Sequence, residues 1–545
     1  MGADAVDRII EFDSMAVPAI VEYKYWEARC DKLPKSLPSL FPPVPAAEED
    51  AHYDALHKKY APQLVDVYMK LGGFYYKSGQ KMAANMGGFV PKYYQDLAQP
   101  FLNDIPARDP KDIRAVVEGE LQRPREEVFS HWEDKPIGCA SIGQVHRATL
   151  KATGQKVVVK VQNPEAERTF VGDVFALKTL MDISMPQLSP AFDEIQKQFA
   201  TEFDYRGECK NAIEIRDNLK RGGYSDIIVP EVYADLCTAK LMVMEEIKPS
   251  IPLHDALDEQ AAMFAKQKGV TEKEFIDSEK ARVEAEALAL AKEGKVMQSV
   301  SAKDYDRYIA PQKLKKFVYS WTVGWFAKVS DADVIVPLNA AKLIDDLLAA
   351  HGHEILIDGC FNADPHPGNV LCADGKLALI DYGQVKRIDD KARLDYAKMT
   401  LLVREAIKVD PRVNPNVKPE VHAAARKTVS SFAREIGMQT EKDLDDSYYD
   451  MCCVYMGRMD AAFLYPRNLI QWSDYIQNRD PLGNIDKVDY LVMINTASMM
   501  LRGLGEALGQ YRNLAEAWGP MAEQALREKG RLGEVDAEVA SWQKA

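Results

Sequence analysis

The chain has 545 residues, of which 47% are hydrophobic and 28% are charged, so it can bury a large core and wholesale disorder is excluded. At about 100 to 200 residues per domain, this length corresponds to roughly three or four domains. The 83 acidic and 69 basic residues give a net charge of −14, which argues against a non-specific nucleic-acid binder, because such proteins neutralise phosphates with a dense basic surface.

The eight cysteines are spread along the chain without a CxxC pair or a Cys/His spacing suited to zinc. We therefore expect reduced thiols in a cytosol-like compartment rather than a disulfide framework. The longest apolar stretch, 317–329, is shorter than the roughly 20 residues that span a bilayer, so no transmembrane segment is predicted. The first 32 residues hold seven acids and four bases, whereas organelle presequences are rich in arginine and poor in acids, so no presequence is predicted.

The first part of the chain is predicted to consist of an N-terminal segment with a proline-rich strap, followed by a helical extension. Residues 1–50 form an N-terminal segment that contains a strap at 33–46, where five prolines disfavour regular helix because proline lacks an amide donor and restricts its neighbour. Across 51–135 the apolar residues return at helical spacing, as in 64–83, which predicts a helical extension of two or three helices.

Runs of β-branched residues replace the helical pattern in 136–250 and predict a small lobe rich in strands. Segments 142–150 and 157–161, separated by a turn that contains glycine, are typical of a β-hairpin. The other elements predicted in this lobe are a helix at about 165–220 and strands at 227–234 and 240–247.

A second lobe is predicted in 251–395. Its segment at about 254–310 is rich in Ala, Glu, Lys and Asp, which is typical of a surface insertion of solvated helices, and no sustained apolar heptad supports a coiled coil. The other elements predicted are strands at 354–359, 369–373 and 377–383, followed by helices throughout 396–545.

Two segments of the first lobe carry the chemistry of phosphate binding. In 138–148, small residues lie on a turn between strands, where exposed amides can hold phosphate oxygens, although a tight hairpin explains the pattern equally well. Lys160 interrupts the apolar strand 157–161, and a lysine on a buried face needs an anionic partner. In kinase-like folds such a lysine grips the α and β phosphates, whereas this segment alone also fits an edge-strand lysine that faces solvent.

Three polar residues of the second lobe have the spacing of a kinase catalytic centre. Asp364 and Asn369 are five apart, like the catalytic-loop Asp that accepts the substrate proton and the Asn that binds magnesium. Asp381 stands at a strand end before an aromatic residue and a glycine, as in D-F-G, and its carboxylate suits Mg²⁺. The gap between Asn369 and Asp381 accommodates one hairpin, which would return both ligands to one site. Together with Lys160, these residues predict phosphoryl transfer.

Three literal motifs make a family resemblance specific: 77-KSGQ-80, 140-ASIGQVH-146 and 364-DPHPGN-369. The chain resembles the UbiB/aarF-domain-containing atypical kinases, also called the ABC-one family, over roughly residues 60–250 and 312–400. The resemblance implies an α+β, protein-kinase-like, two-lobed fold, with a small β-rich N-lobe and a helical C-lobe. A helical K-x-G-Q extension would precede the lobes and extra helices would follow them. It also implies ATP or ADP and Mg²⁺ as cofactors.

The resemblance assigns roles to individual residues. Asp364 would be the catalytic base, Lys160 the phosphate clamp with Glu208 as its ion-pair partner, and Asn369 and Asp381 the metal ligands. The hinge that would bind adenine is placed by position at 243–247. The residues expected at the nucleotide are Gly138, Ala140, Ser141, Gly143, Gln144, Val145, Lys160, Met244 and Glu245.

The K-x-G-Q motif implies a helical cover over the site. It contains Lys77 and Gln80, and by the resemblance Glu202 and Asp204 would hold Lys77 so that the helix lies where a protein substrate would dock. Without the resemblance, these two acids and Glu208 would be interpreted as a solvated helix face.

The chain departs from the family pattern at two places. The loop reads 138-GCAS-141 where the family commonly has A-A-A-S, so we expect a more flexible loop and a different nucleotide preference. The third motif reads D-Y-G in place of D-F-G, which keeps the metal ligand and adds a hydroxyl. His366 and His146 are expected to shape their loops rather than to transfer protons.

The leading functional expectation is a Mg²⁺-dependent ATPase or small-molecule phosphotransferase, since the K-x-G-Q cover would occupy the groove of a protein substrate. Relatives of this type imply prenylquinone metabolism at mitochondrial or plastid membranes, and hence a lipid or quinone-related partner. The alternative is a nucleotide-binding pseudokinase scaffold that contacts a protein complex through the strap, the insertion or the C-terminal helices. A weaker alternative is an aminoglycoside-kinase-like phosphotransferase, which lacks the K-x-G-Q segment.

Overall fold

The computed structural model describes residues 3–76, 79, 97, 106–140, 142–184, 203–293, 295, 301–311, 338–373, 375–467, 469–483, 488–542 and 544. The chain divides into two compact units. The N-terminal unit comprises Met1–Lys210 and Glu231–Glu246, and the C-terminal unit comprises Asn211–Pro230 and Ile247–Ala545. The five-part division expected from the sequence stays a prediction.

The elements up to residue 292 are α1 Ala3–Glu27, α2 Leu33–Ser36, α3 Ala46–Leu71, α4 Pro110–Leu121, α5 Arg125–Val128, β1 Phe129–Trp132, β2 Gly138–Cys139, β3 Gly143–Leu150, β4 Lys156–Gln162, α6 Ala166–Ser184, α7 Tyr205–Arg221, β5 Ile227–Ile228, β6 Leu241–Glu245, β7 Ile251–Pro252, α8 Leu253–Lys268 and α9 Glu272–Lys292. The elements that follow are α10 Ala340–His353, β8 Cys360–Asn362, β9 Val370–Ala373, β10 Lys376–Leu379, β11 Val385–Arg387, α11 Asp390–Lys408, α12 Pro419–Glu435, α13 Asp445–Met456, α14 Ala461–Leu464, α15 Leu469–Arg479, α16 Asp489–Ala507, α17 Leu514–Glu528 and α18 Leu532–Trp542.

The N-terminal unit contains an antiparallel sheet in the order β1-β3-β4-β6, with β2 beside β3. The predicted hairpin is confirmed, with β3 and β4 paired so that Val145 lies opposite Lys160. The turn between them contains Gly154 at φ +72°, a conformation that glycine adopts without a side-chain clash. The valines of β4 are buried with Ile113 and Val117 of α4, so an apolar core backs the strand that carries Lys160.

A second core in the N-terminal unit joins α1, α3 and α6. Phe12, Tyr75 and Phe170 are buried in it. The prediction that the strap at 33–46 lacks regular helix is wrong at the start of the strap, because Leu33–Ser36 is helical. Its proline lies in the first turn, where the missing amide donor has no helical partner to lose.

The C-terminal unit combines a small sheet with many helices. The sheet has the order β5-β10-β9-β7, and β11 pairs with β8 in a separate two-stranded ladder. The helices predicted after 396 are confirmed for the described residues. Trp518 is fully buried, and its indole nitrogen donates to the Leu348 carbonyl at 2.8 Å, which fixes α17 against α10. Among the described helices, none combines the length and apolar character needed to cross a bilayer.

The strand predicted at 354–359 is wrong, because Glu354–Asp358 forms a π-helical turn that continues α10. Ile355 and Leu356 are fully buried, and a short apolar run does not distinguish a buried strand from a buried helical turn. Gly359, at φ +65°, ends the turn, and strand β8 starts directly after it. Glu354, the first residue of this turn, is therefore fully buried and lies in contact with Asn362 of β8.

Candidate active site

In the N-terminal unit, Lys160 and Glu208 form the predicted ion pair. The Lys160 ammonium donates to both Glu208 carboxylate oxygens, at 2.8 and 2.9 Å. The two side chains are 15% and 6% exposed, so water screens this pair much less than a surface pair. Glu208 lies in the first turn of α7, where the helix dipole also favours a carboxylate. The pair therefore fixes Lys160 relative to α7.

Tyr205 is a further neighbour of Lys160 that the sequence did not indicate. Its ring centroid lies 5.1 Å from the lysine ammonium, within range of a cation–π interaction, and the residue is 1% exposed. Gly143, in the predicted nucleotide loop, packs closely beside it. A Cβ at Gly143 would lie 2.5 Å from the Tyr205 hydroxyl and 2.7 Å from the Val161 carbonyl oxygen. Glycine therefore allows the loop to approach the strand that carries Lys160.

We expect Gly143→Ala to lower the free energy of unfolding by about 1–3 kcal/mol, because the added methyl would contact backbone that is fixed in the sheet. Gly138→Ala is the matched control, since a Cβ there meets nothing within 4 Å, and it should change stability by less than about 0.5 kcal/mol. Urea unfolding of both variants checks the difference. Equal stabilities would contradict the close packing at Gly143.

A buried polar network surrounds the first residues of β3. The Gln144 carboxamide contacts the His146 ring nitrogen Nε2 at 2.8 Å and accepts from the Arg108 backbone amide at 2.8 Å. His146 Nδ1 lies 2.9 Å from the Glu133 carbonyl oxygen. Burial lowers the pKa of His146, so the ring is neutral at pH 7. Both residues lie in strand β3, so the expectation that His146 is a loop residue is wrong, and its contacts support a structural role inside the sheet.

The other N-terminal-unit residues that the sequence predicted for the nucleotide site or its cover lie in separate elements. Ala140 donates its backbone amide to the Gly143 carbonyl at 2.7 Å. Met244 and Glu245 end β6, opposite Val158 and Val157 of β4. The Asp204 carboxylate accepts from the Arg206 guanidinium at 2.8 and 2.7 Å. The predicted residues Lys77, Gln80, Ser141 and Glu202 lie outside the described residues.

In the C-terminal unit, one hairpin positions Asn369 and Asp381. Asn369 ends the short helical turn before β9, Asp381 follows β10, and the two strands pair antiparallel. The Ile380 amide donates to the Asn369 carbonyl at 3.2 Å, so both predicted metal ligands lie at the same end of the hairpin, as their spacing predicted. An amide oxygen and a carboxylate fit Mg²⁺, which keeps waters and substrate phosphates in its remaining coordination positions. Within the described ranges, no cluster of three or more His, Cys, Asp or Glu forms an all-protein metal cage.

Asn362 joins the segments that carry Asp364 and Asp381. Its side-chain oxygen accepts from the Asp364 amide at 3.0 Å, and its side-chain nitrogen donates to the Asp381 carbonyl at 3.0 Å. The residue is 5% exposed. This role was not predicted from the motifs, although an Asn two residues before Asp364 is a recognisable signal for an Asx turn. Asn362 therefore acts as a positioning residue for both carboxylates.

Backbone contacts hold the D-Y-G segment in place. The Asp381 carboxylate accepts from the Gly383 amide at 2.9 Å, and the Tyr382 carbonyl accepts from the Asn211 side chain at 3.0 Å. Tyr382 is 1% exposed, and burial raises its pKa well above the ordinary value of 10, so its hydroxyl stays protonated. The His366 ring nitrogen Nδ1 accepts from the Gly368 amide at 3.0 Å, which supports a structural role for this histidine.

Glu354 is fully buried and its carboxyl group contacts the backbone of Asn362. Its Oε2 atom accepts from the Asn362 amide at 3.0 Å, and burial raises its pKa to about 8. In the folded state, Glu354 therefore keeps its proton up to about pH 8. In the unfolded state its pKa is near 4.5, so the same carboxyl group loses its proton at a lower pH. Between these two values the folded state binds more protons, so this group makes stability decrease as pH rises, by up to about 1.4 kcal/mol per pH unit.

We expect Glu354→Gln to flatten the pH dependence of stability between pH 5 and about 8, because the amide keeps an acceptor for Asn362 and has no proton to lose. The free energy of urea unfolding at several pH values measures the slope for both proteins. The same substitution at exposed Glu435 should leave the slope close to that of the wild type. An unchanged slope in Glu354→Gln would contradict a neutral buried carboxyl.

Comparison with known proteins places these residues in a family. Residues 101–276 and 315–410 match the ABC1 atypical kinase-like domain. AarF domain-containing kinase 1 of Drosophila melanogaster is 22% identical over 86% of this chain and 75% of that protein. The probable protein kinase UbiB of Shewanella loihica is 34% identical over 34% of this chain and 35% of that protein. The chloroplastic protein ACTIVITY OF BC1 COMPLEX KINASE 1 of Arabidopsis thaliana is 26% identical over 60% of this chain, which spans 38% of that relative's length.

Among solved structures, the Rv3197–erythromycin complex from Mycobacterium tuberculosis is similar, with 18% identity, coverage of 84% of this chain and 97% of that one, and a TM-score of 0.36. The matched ranges of the family domain contain Lys160, Glu208, Asp364, Asn369 and Asp381. The expected α+β, protein-kinase-like fold is confirmed. On the matched ranges and these relatives, the chain belongs to the ABC1 atypical kinase-like family, which includes the UbiB and AarF-domain kinases.

Proposed function

We propose that the chain is an ATP-dependent enzyme that transfers the γ-phosphoryl group to water or to a small molecule and requires Mg²⁺. The observation that carries the proposal is the intact polar set: the buried Lys160–Glu208 pair in one unit, and Asp364, Asn369 and Asp381 held at fixed positions in the other. Phosphoryl transfer needs positioning and charge neutralisation more than covalent participation by the protein. This set supports both requirements.

Each residue of the set would have one task in the reaction. Lys160 would neutralise phosphate oxygens, and Glu208 would hold its ammonium in place. Asp364 would accept a proton from the attacking hydroxyl or orient the attacking water. Asn369 and Asp381 would hold Mg²⁺, which neutralises charge on the phosphates when it is bound. Asn362 would keep Asp364 and Asp381 in register through its two side-chain hydrogen bonds.

The physiological substrate is proposed from the family alone. The resemblance to UbiB-type proteins supports a small molecule linked to prenylquinone metabolism, and the name of the Arabidopsis relative places that protein in the chloroplast. The predicted K-x-G-Q cover argues against a protein substrate. A membrane-associated lipid or quinone would then be the partner of the reaction.

The test is phosphate release by the purified chain with ATP, in the presence of Mg²⁺ and in its absence, compared with Asp364→Asn. We expect release that requires Mg²⁺ and falls by about 100-fold or more in the variant. A chain that binds Mg·ATP but hydrolyses it no faster than Asp364→Asn would contradict the enzyme proposal. That result would support the nucleotide-binding scaffold instead.

A further inference from the structure

Helix α1 is fixed to the N-terminal unit by its inner face. Phe12, Met15 and Ala16 of this face are buried in the core that α1 shares with α3 and α6. The Arg8 guanidinium donates to both carboxylate oxygens of Asp173 on α6, at 2.8 and 2.5 Å. Asp173 is 1% exposed, so water hardly screens this pair. These contacts hold the helix in one orientation, and its opposite face therefore points away from the core.

The opposite face of α1 is also apolar. Its large exposed side chains are Val6, Ile10, Val17, Val21 and Tyr25. At 3.6 residues per turn they fall within an arc of about 100° and extend over roughly 28 Å of the helix. A helix that is apolar on both faces is normally buried on both, and contiguous exposed apolar surface marks contact sites. We call this face, together with Ser14, the outer stripe.

The outer stripe is symmetric along the chain. Ser14 is exposed between the apolar residues, and the six positions are separated by 4, 4, 3, 4 and 4 residues. The spacing is the same in both chain directions, about a midpoint between residues 15 and 16. A second α1, antiparallel and related by a twofold axis at this midpoint, would therefore align every position of the stripe with another stripe position. The aligned pairs are Val6 with Tyr25, Ile10 with Val21, and Ser14 with Val17.

Polar side chains on and beside the outer stripe fit the same arrangement. Asp7 and Lys24 are both exposed, and the antiparallel register places Asp7 of each copy opposite Lys24 of the other. Opposite charges on facing helices favour one orientation, whereas a parallel pair would place like charges together. The Ser14 hydroxyl donates to the Glu11 carbonyl of its own helix at 2.7 Å. Ser14 can therefore enter an apolar contact without an unpaired donor.

The charge of this segment disfavours a lipid surface as the occupant of the outer stripe. Helices that lie in the membrane interface are rich in Lys and Arg on their polar face, which attracts anionic headgroups. The first 32 residues instead hold seven acids and four bases. A second copy of α1 supplies both the apolar stripe and the complementary charges at the required spacing.

We propose that the chain forms a twofold-symmetric homodimer through the outer stripe of α1, with the two helices antiparallel. A single helix pair of this length buries less than the roughly 800 Å² per partner of a typical stable complex, so dimerisation is expected at micromolar rather than nanomolar concentrations. The proposal does not depend on the phosphoryl-transfer function.

Sedimentation velocity of the full chain, from about 1 to 100 μM, tests the dimer. We expect a monomer–dimer equilibrium in the wild type. Val21→Glu should raise the dissociation constant by about tenfold or more, because each dimer would then bury two unpaired charges. Phe175→Glu is the matched control, since Phe175 is an exposed apolar residue of α6 in the same unit, and it should dimerise as the wild type does. A wild-type chain that stays monomeric throughout this range, or equal dimerisation by Val21→Glu, would overturn the proposal.

Disulfide trapping tests the antiparallel register. Ile10→Cys and Val21→Cys are oxidised separately and as a mixture, with the wild type as the control for native cysteines. We expect a covalent dimer linked between positions 10 and 21 in the mixture, identified by peptide mass spectrometry. Either variant alone should give none, because position 10 would lie about 16 Å from position 10 of the partner.

Two results would contradict this arrangement. A covalent dimer of Ile10→Cys alone, without the mixed product, would show a parallel pair and overturn the proposed register. Binding to anionic lipid vesicles by a chain that stays monomeric would assign the outer stripe to a membrane and overturn the homodimer.

Discussion

Replacing Asp381 with asparagine is expected to lower Mg²⁺-dependent ATP hydrolysis by about 100-fold or more, while the chain stays folded. The carboxylate is the one charged oxygen ligand of the proposed metal pair, and the amide that replaces it carries no charge to hold Mg²⁺. The amide oxygen still accepts a hydrogen bond, so the contact to the Gly383 amide can persist. The loss should therefore come from metal binding and be partly relieved at high Mg²⁺ concentration.

Phosphate release measured across a Mg²⁺ titration checks this expectation. Asp536→Asn is the matched control, because it makes the same chemical change at an exposed site of the same unit, and it should hydrolyse ATP at the wild-type rate. Thermal melting of both variants separates catalysis from folding. If Asp381→Asn kept the wild-type rate and Mg²⁺ dependence, Asp381 would not be a metal ligand.

Removing the Lys160 ammonium should lower ATP hydrolysis by about 100-fold, which is comparable to the loss expected for Asp381→Asn, and it should also weaken nucleotide binding. The single variant Lys160→Met removes the ammonium that pairs with Glu208, whose side chain is 6% exposed, and breaking a buried pair costs about 3–5 kcal/mol of stability. The variant that decides is therefore Lys160→Met combined with Glu208→Gln. It removes both charges, so the chain can fold while the phosphate clamp is absent.

Nucleotide titration and phosphate release are measured on this double variant after its folding has been verified by thermal melting. Lys156→Met provides the control, since Lys156 is an exposed lysine at the start of the same strand, and it should bind and hydrolyse ATP as the wild type does. A folded double variant with normal affinity and rate would show that Lys160 does not contact the nucleotide.

Residues fixed by short-range patterns were predictable from the sequence. The valine run around Lys160 is apolar and β-branched, which predicted a strand, and strand β4 forms there. The pairing of Lys160 with Glu208 was implied by the family resemblance alone, and that ion pair is present. The distance between Asn369 and Asp381 allows one tight hairpin, and that hairpin forms. In each case, a local rule and the tertiary packing favour the same structure.

Features that depend on burial from several directions were not predictable. Glu354 belongs to an apolar run that fits a strand, and only the packing of the surrounding helices makes it a helical turn with a buried carboxyl. Asn362 had a local signal for its hydrogen bond to the Asp364 amide, but its second hydrogen bond, to the Asp381 carbonyl 19 residues away, depends on the fold.

A structure of the chain with a non-hydrolysable ATP analogue and Mg²⁺ would locate the nucleotide and the metal. We expect phosphate oxygens within hydrogen-bond distance of the Lys160 ammonium, with Mg²⁺ bound by the Asn369 side-chain oxygen and the Asp381 carboxylate. The γ-phosphate should also face Asp364. A nucleotide bound away from Lys160, or a Mg²⁺ ion that neither Asn369 nor Asp381 contacts, would contradict it.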